Sequence, residues 1–331
     1  MQLPPTEGTP VNGRRMALVA AIVVSVSLWS AAGGPAAART THGHGATTHR
    51  TTTTRPPSRD TTTTTTGPYE VRTESITFDD PSRPTSARGS VPATSGRMLV
   101  TDLYVPVDAS GPLPLVVFAH GWNSDPGVYN VLLQQWAQAG FLVAAPVFPD
   151  STDLYPGSPV SDYADQARDL SFVITSLLQN SEVDVDPHRI AVAGHSDGGT
   201  DVALLALDPA YADNRVRAYV SLSGEMPSGV DAFTPGPTPG SLFVAVGTSD
   251  EYGLYPLSTQ VYQAAVMPKV LLTEQGGDHL GSFISDTPAS ASMREATVRF
   301  LRRALEPGPQ SSEGLLASVE PTGSSLVPAG A

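Results

Sequence analysis

Short runs that are apolar throughout alternate with amphipathic segments along the middle of the chain. Leu113–Ala119 and Phe141–Phe148 are such runs, typical of strands buried on both faces. The same texture predicts further strands at 189–193, 218–222, 241–246 and 270–273. Helical spacing predicts helices around Val128, Leu132 and Trp136, over 161–180, 197–207 and 254–266, and from Thr287-Pro288 to a stop before Pro307.

Two earlier stretches, Glu70–Phe78 and Arg97–Val107, mix β-branched and polar residues as antiparallel strands do. Together with the alternating strands and helices, they predict an α/β architecture: a mainly parallel central sheet with helices on both faces and no large cap domain. Ligands of such sheets bind at the carboxyl ends of the strands. The loops to inspect therefore follow Ala119, Ala193, Leu222, Val246 and Thr273.

The first 38 residues have the pattern of an export signal. Arg14 and Arg15 precede the apolar run Met16–Trp29, and the small residues 36–38 supply an Ala-x-Ala cleavage site. A membrane anchor is the alternative, but the run is shorter than the ~20 residues that a spanning helix needs. We expect a secreted protein without membrane insertion after cleavage, with the Sec and twin-arginine routes both open.

The two ends of the remaining chain differ in composition from its middle. Residues 39–68 are Thr-rich with almost no apolar surface, which predicts a disordered linker whose O-glycosylation and attachment to the cell wall stay open. Residues 307–331 are rich in Pro, Gly and Ser and are predicted to be a disordered tail. The prediction for 69–306 is one catalytic domain.

Composition excludes several classes of chemistry. The chain has no cysteine, so disulfides, thiolate metal sites and a cysteine nucleophile are ruled out. The formal net charge is −13, and the N-terminal 68 residues are net positive, so the rest is more acidic still. An acidic body argues against nucleic acid as a partner.

A serine lies on a tight turn between a predicted strand and a predicted helix. Gly194-His195-Ser196-Asp197-Gly198 follows the strand RIAVA and matches G-x-S-x-G, the nucleophile elbow, in the required context. The turn is so tight that its flanking positions leave no room for a Cβ. Ser196 is therefore the predicted nucleophile, at a helix N-terminus that favours developing negative charge.

In folds that carry this elbow, the catalytic residues follow the chain order Ser, then Asp or Glu, then His. Of the seven histidines only His279 lies beyond Ser196, so it is the predicted base. The acid is less constrained. Asp250 follows a buried strand and is the first choice; Glu251 is its neighbour, and Glu225 follows the preceding strand. Asp278 is adjacent to the base in sequence and is poorly placed to reach its ring.

Two backbone amides are needed to hold the oxyanion. One belongs to Asp197, directly after the nucleophile, and the second to the loop His120-Gly121-Trp122-Asn123, where Trp122 is the predicted donor. His120 is predicted to hold this loop. The Asp197 side chain is expected to point away from the site, as a carboxylate in the first turn of a helix.

Taken together, FAHGW, GHSDGG and GGDHLGSF resemble the α/β-hydrolase superfamily, and within it dienelactone-hydrolase-like, chlorophyllase-like and bacterial cutinase-like (polyester hydrolase) esterases. The resemblance implies a triad of Ser196, Asp250 and His279, with the amides of Trp122 and Asp197 at the oxyanion. It also implies a serine carboxylic-ester hydrolase that works through an acyl-enzyme and needs no cofactor or metal.

The expected substrate is a small or polymeric ester with a short or medium acyl chain, and the expected state is a monomer. An acyltransferase acting on cell-wall lipids or glycans and a serine peptidase would use the same residues. A binding protein that keeps the hydrolase fold but has lost its activity is a further alternative, but the presence of all three triad residues in the expected chain order argues against it. The Pro/Gly-rich segments 226–240 and 149–160 predict an open cleft without a helical lid, with Trp122 on its rim.

Overall fold

A computed structural model describes residues 68–157, 159–230, 233–319 and 326–328. The predicted signal peptide and nearly all of the predicted linker lie outside the described residues. Nine strands form one sheet in the order β1-β2-β4-β3-β5-β6-β7-β8-β9. They are β1 Val71–Asp80, β2 Arg97–Pro106, β3 Leu113–Ala119, β4 Leu142–Pro146, β5 Val185–His195, β6 Val216–Leu222, β7 Ser241–Gly247, β8 Lys269–Glu274 and β9 Leu326–Pro328.

The six strands from β4 to β8 run parallel, while β1, β2 and β9 pair antiparallel at the two edges. This confirms the predicted mainly parallel sheet and the two antiparallel strands before it. The seven α-helices of the described residues are α1 Asn130–Gln138, α2 Tyr163–Gln179, α3 Asp197–Leu207, α4 Leu254–Ala264, α5 Gly281–Ile284, α6 Pro288–Ala304 and α7 Ser312–Ser318.

The sheet is covered on both faces. One apolar cluster contains Val117, Leu170 and Val202, and the other contains Phe118, Trp136 and Phe300. Consecutive β3 residues contribute to opposite clusters because side chains alternate along a strand. The central strands are buried on both faces for this reason, which explains their uninterrupted apolar sequences. Among the described residues, no helix combines the length and apolar character needed to span a membrane.

A buried arginine fixes the loop that follows β4. Arg97 of β2 is fully buried and donates to Asp169 of α2 and to Asp150 of the loop. A backbone hydrogen bond from Asn123 to Ser151 ties the same loop to the loop after β3. Two loops at the carboxyl edge of the sheet are thereby held together.

The prediction of a disordered tail after Glu306 is wrong for two segments, α7 and β9. Leu315, Val319 and Leu326 are almost completely buried, and β9 extends the sheet beyond β8. These three buried apolar side chains hold the two segments against the core. The Pro, Gly and Ser residues around them gave the segment the composition of a disordered tail. The sequence feature that indicates α7 is Ser311, a favourable N-cap residue whose side chain accepts from the Gly314 amide.

Two smaller expectations also need correction. Val128 does not join the buried stripe of Leu132 and Trp136, because it lies in the 3-10 turn Pro126–Tyr129 before α1 and is 39% exposed. The short helix α5 was not predicted; the Asp278 carboxylate accepts from the Ser282 amide in its first turn.

Candidate active site

Ser196 occupies a strained backbone position between β5 and α3. Its φ is 58° and its ψ is −121°, a conformation that residues other than glycine rarely adopt. Hydrogen bonds on both sides hold it there: its amide donates to the Leu222 carbonyl at 2.9 Å, and its carbonyl accepts from the Thr200 amide at 3.0 Å. The neighbouring strand and the first turn of α3 thus fix the serine at the carboxyl edge of the sheet.

The glycines that flank this turn are required by close packing. A Cβ at Gly194 would lie 2.1 Å from the Gly198 carbonyl oxygen, and a Cβ at Gly198 would lie 2.1 Å from the Ala119 carbonyl oxygen. Neither backbone contact can yield without moving a strand. The sequence-based reason for the glycines is therefore confirmed.

The structure brings His279 and Asp250 together. Nδ1 of His279 lies 2.7 Å from Oδ2 of Asp250, and the Asp250 side chain is fully buried. Burial alone would raise the pKa of Asp250, but hydrogen bonds from His279 and from the Tyr252 amide outweigh it and lower that pKa. Asp250 is thus held ionised, and it fixes the His279 tautomer that presents Nε2 as the proton acceptor.

The other candidate acids have different partners. Glu251 accepts a hydrogen bond from the His279 backbone amide at 3.0 Å, so it supports the loop and not the ring. The Asp278 carboxylate accepts from the Ser282 amide in the first turn of α5. The Glu225 carboxylate forms no hydrogen bond or ion pair in the described part of the chain, and only its amide is bonded, to Thr200. Asp250 is therefore the carboxylate that reaches the imidazole.

The two amides predicted to hold the oxyanion lie on the loop after β3 and at the start of α3. Within the described residues, the amides of Trp122 and Asp197 donate to no protein acceptor. His120 holds the first of these loops as predicted: it is fully buried, its Nδ1 donates to the Gly121 carbonyl and its Nε2 accepts from the Phe148 amide. Burial lowers the pKa of His120 to about 4, so the ring is neutral, and because both of its nitrogens already have backbone partners it has no free acceptor for a substrate proton.

Ser196 Oγ forms no hydrogen bond among the described residues, so its contact with His279 Nε2 is not closed in this structure. Such a gap is common in enzymes without substrate, where catalytic hydrogen bonds shorten in the Michaelis complex. His279 is covered by the ring of Tyr252, whose centroid lies 4.7 Å from the imidazole centroid in an edge-on arrangement. The imidazole is thereby largely shielded from water, and Asp250 beside it is buried as well.

A hydrogen-bond chain that the sequence did not reveal joins the oxyanion loop to the base loop. The Gly121 amide donates to the Tyr129 hydroxyl, which donates to Nδ1 of His195. Nε2 of His195 then donates to the His279 carbonyl at 2.9 Å. Burial lowers the pKa of His195 to about 3, so the ring stays neutral and keeps one donor and one acceptor. The chain passes through the residue directly before the nucleophile.

Comparison with known proteins agrees with this fold. The family model for chlorophyllase matches residues 61–225, a segment that includes the oxyanion loop and the elbow and ends before Asp250 and His279. A ferulic acid esterase from Streptomyces cinnamoneus is similar in structure, with a TM-score of 0.58 and 20% identity over 78% of this chain and 96% of that one. No curated protein sequence matches the chain. The chain is a serine esterase of the α/β-hydrolase fold.

In this esterase, Tyr129→Phe should weaken both stability and catalysis. The change leaves the Gly121 amide and Nδ1 of His195 buried without their partner, which typically costs about 1–3 kcal/mol. We expect that loss in urea unfolding and a fall of about tenfold in kcat, because the loop that carries the Trp122 amide loses one of its anchors.

The matched control is Tyr219→Phe. Tyr219 is also fully buried, but its hydroxyl has no hydrogen-bond partner in the described residues, so its removal should not destabilise the fold. Equal losses in the two variants would mean that the Tyr129 hydrogen bonds contribute nothing to the site.

Proposed function

We propose that the esterase is a secreted carboxylic-ester hydrolase that uses Ser196, His279 and Asp250 through an acyl-enzyme. The observation that carries the proposal is the 2.7 Å hydrogen bond between His279 and the buried Asp250, in a loop next to the strained Ser196 elbow. Secretion is supported by the signal-peptide pattern of the first 38 residues alone.

In the proposed mechanism, Ser196 Oγ attacks the ester carbonyl while His279 Nε2 takes its proton. The amides of Trp122 and Asp197 hold the tetrahedral oxyanion, each worth roughly 3 kcal/mol. His279 then protonates the departing alcohol, leaving an acyl-Ser196 ester. Water attacks that ester with its proton again going to His279, and the acid leaves as Ser196 recovers its proton.

Large apolar side chains are exposed on the loops at this edge of the sheet. Trp122 is 51% exposed on the oxyanion loop, and Tyr252 is 71% exposed although its ring contacts His279. The described parts of segments 149–160 and 226–240 contain no helix that could close over them. These features support an open cleft that admits short and medium acyl chains, aromatic acyl groups such as ferulate, and extended polyesters. Leu154 and Val160 on the loop after β4 and Tyr255 in the first turn of α4 are also exposed.

The test is hydrolysis of 4-nitrophenyl esters and methyl ferulate by the full chain, below the solubility limit of each ester. An open site should give simple saturation kinetics, with rates that do not wait for emulsion droplets. Added acceptor alcohols report transfer: free acid as the main product supports hydrolysis, and transfer products in excess would replace it with an acyltransferase. The absence of turnover, or a rate that jumps only when droplets form, would refute the hydrolase or the open cleft, respectively.

A further inference from the structure

The carboxylate that follows the nucleophile is fixed beside the site by two hydroxyls. Oδ2 of Asp197 accepts from Ser161, and Oδ1 accepts from Tyr163 at 3.2 Å. Each oxygen thus has one donor, an arrangement that suits the ionised form. Burial raises the pKa of Asp197, and both hydroxyls and the charge of His279 oppose that rise. That this side chain points away from the oxyanion stays a prediction, but its charge interacts with His279.

A second carboxylate, that of Glu225, belongs to the residue whose amide donates to the Thr200 hydroxyl in the first turn of α3, at 3.1 Å. Burial and the charge of Asp197 both raise the pKa of Glu225. Burial also raises the pKa of the Tyr163 hydroxyl, and the charges of the two carboxylates add to that rise. Neither forms an ion pair with a lysine or arginine of the described chain, whereas the buried Asp150 and Asp169 are paired with Arg97. The negative charge next to Ser196 is thus not neutralised by a neighbouring cation.

We propose that Asp197 and Glu225 form an anionic wall that makes the site selective for esters with neutral or cationic acyl groups. The inference rests on the proposed ester hydrolysis and adds the charge of the substrate to it. An acyl group bound to Ser196 extends from a carbonyl held by the Asp197 amide itself, so a carboxylate close to that carbonyl must approach the wall. Repulsion between like charges in a partly buried cleft disfavours such a substrate.

A consequence follows for substrates with two ester groups. Cleavage of one ester of a dicarboxylic diester leaves an acyl group that ends in a carboxylate. The wall then disfavours the second cleavage, so a diester such as dimethyl succinate should release one equivalent of acid and then react slowly. In a polyester, internal bonds should be cleaved in preference to bonds next to a free acid end.

The experiment compares three methyl esters with four-carbon acyl chains: methyl butanoate, monomethyl succinate and methyl 4-(trimethylammonio)butanoate. Acid release by the full chain is followed in a pH-stat at low ionic strength. We expect kcat/KM for monomethyl succinate to be at least about tenfold below the value for methyl butanoate, with no such loss for the cationic ester. Added salt should narrow the difference, because it screens the charges.

Asp197→Asn keeps the backbone amide and the shape of the side chain but removes its charge. We expect this variant to raise the ratio of kcat/KM for monomethyl succinate to that for methyl butanoate at least about fivefold, and Glu225→Gln to raise it less. The control is Glu182→Gln, which removes an exposed charge just before β5, at the opposite end of the strands, and should leave the ratio unchanged.

The outcomes separate the two proposals. If the wild-type chain hydrolyses no neutral ester, the proposed function fails. If it hydrolyses methyl butanoate and monomethyl succinate equally well, or if Asp197→Asn leaves their ratio unchanged, only the anionic wall is refuted. Should Asp197→Asn fail to fold, the salt dependence of the wild type and the ratio in Glu225→Gln decide in its place.

Discussion

Ser196→Ala is expected to lower kcat for ester hydrolysis at least about 10⁴-fold while the protein stays folded. The hydroxyl is the proposed nucleophile, and members of a triad act as a unit, so loss of one removes most of their joint effect. Stability should hardly change, because Ser196 Oγ forms no hydrogen bond among the described residues and lies at a partly exposed turn. Steady-state hydrolysis of a 4-nitrophenyl ester measures the change in kcat, and thermal unfolding measures the change in stability.

Ser196→Gly adds a matched comparison, because it should be equally inactive yet more stable. With φ at 58°, the serine pays for a conformation that glycine adopts without strain, a difference of about 1–3 kcal/mol. A melting temperature above that of Ser196→Ala would show that strain is stored at the nucleophile. Activity of Ser196→Ala close to the wild type would assign the nucleophile to another residue.

The sheet and the elbow could be predicted because their signals are local. The uninterrupted apolar sequence of β3 and the glycines around Ser196 each record a packing constraint on adjacent residues. His279 could also be predicted from the sequence, because the chain order Ser, acid, His left it as the only candidate base. Asp250 was only a first choice, because the distance between a carboxylate and a ring depends on how two loops after separate strands approach each other.

The features that the sequence did not reveal depend on side chains from distant elements. The contact of Tyr129 with His195 joins residues that are 66 positions apart, and nothing in the pattern around either one indicates it. The hold of Ser161 on Asp197 spans 36 positions and turns a carboxylate in a helix N-terminus into a fixed charge beside the site. The ordered tail was missed for another reason: its few apolar residues are diluted by Pro, Gly and Ser.

Asp250→Asn is expected to cost about 10⁴-fold in kcat and so to identify the acid of the triad. The asparagine side chain can donate to Nδ1 of His279, which would place the ring proton on Nε2 and remove the acceptor for the Ser196 proton. It also lacks the charge that stabilises the imidazolium. The loss should appear in kcat and not in KM, because the ground-state contacts of the ester are unchanged.

The two neighbouring acids supply the controls, and their expected effects follow from their contacts. Glu251→Gln retains an oxygen that can accept from the His279 amide, so its loss in kcat should stay within about tenfold. Glu225→Gln removes a carboxylate that does not contact the imidazole, and its rate on a neutral ester should stay close to that of the wild type. If kcat falls further in Glu225→Gln than in Asp250→Asn, the acid of the triad is Glu225 and not Asp250. The carboxylate that supports His279 in the reacting enzyme would then lie on the loop after β6.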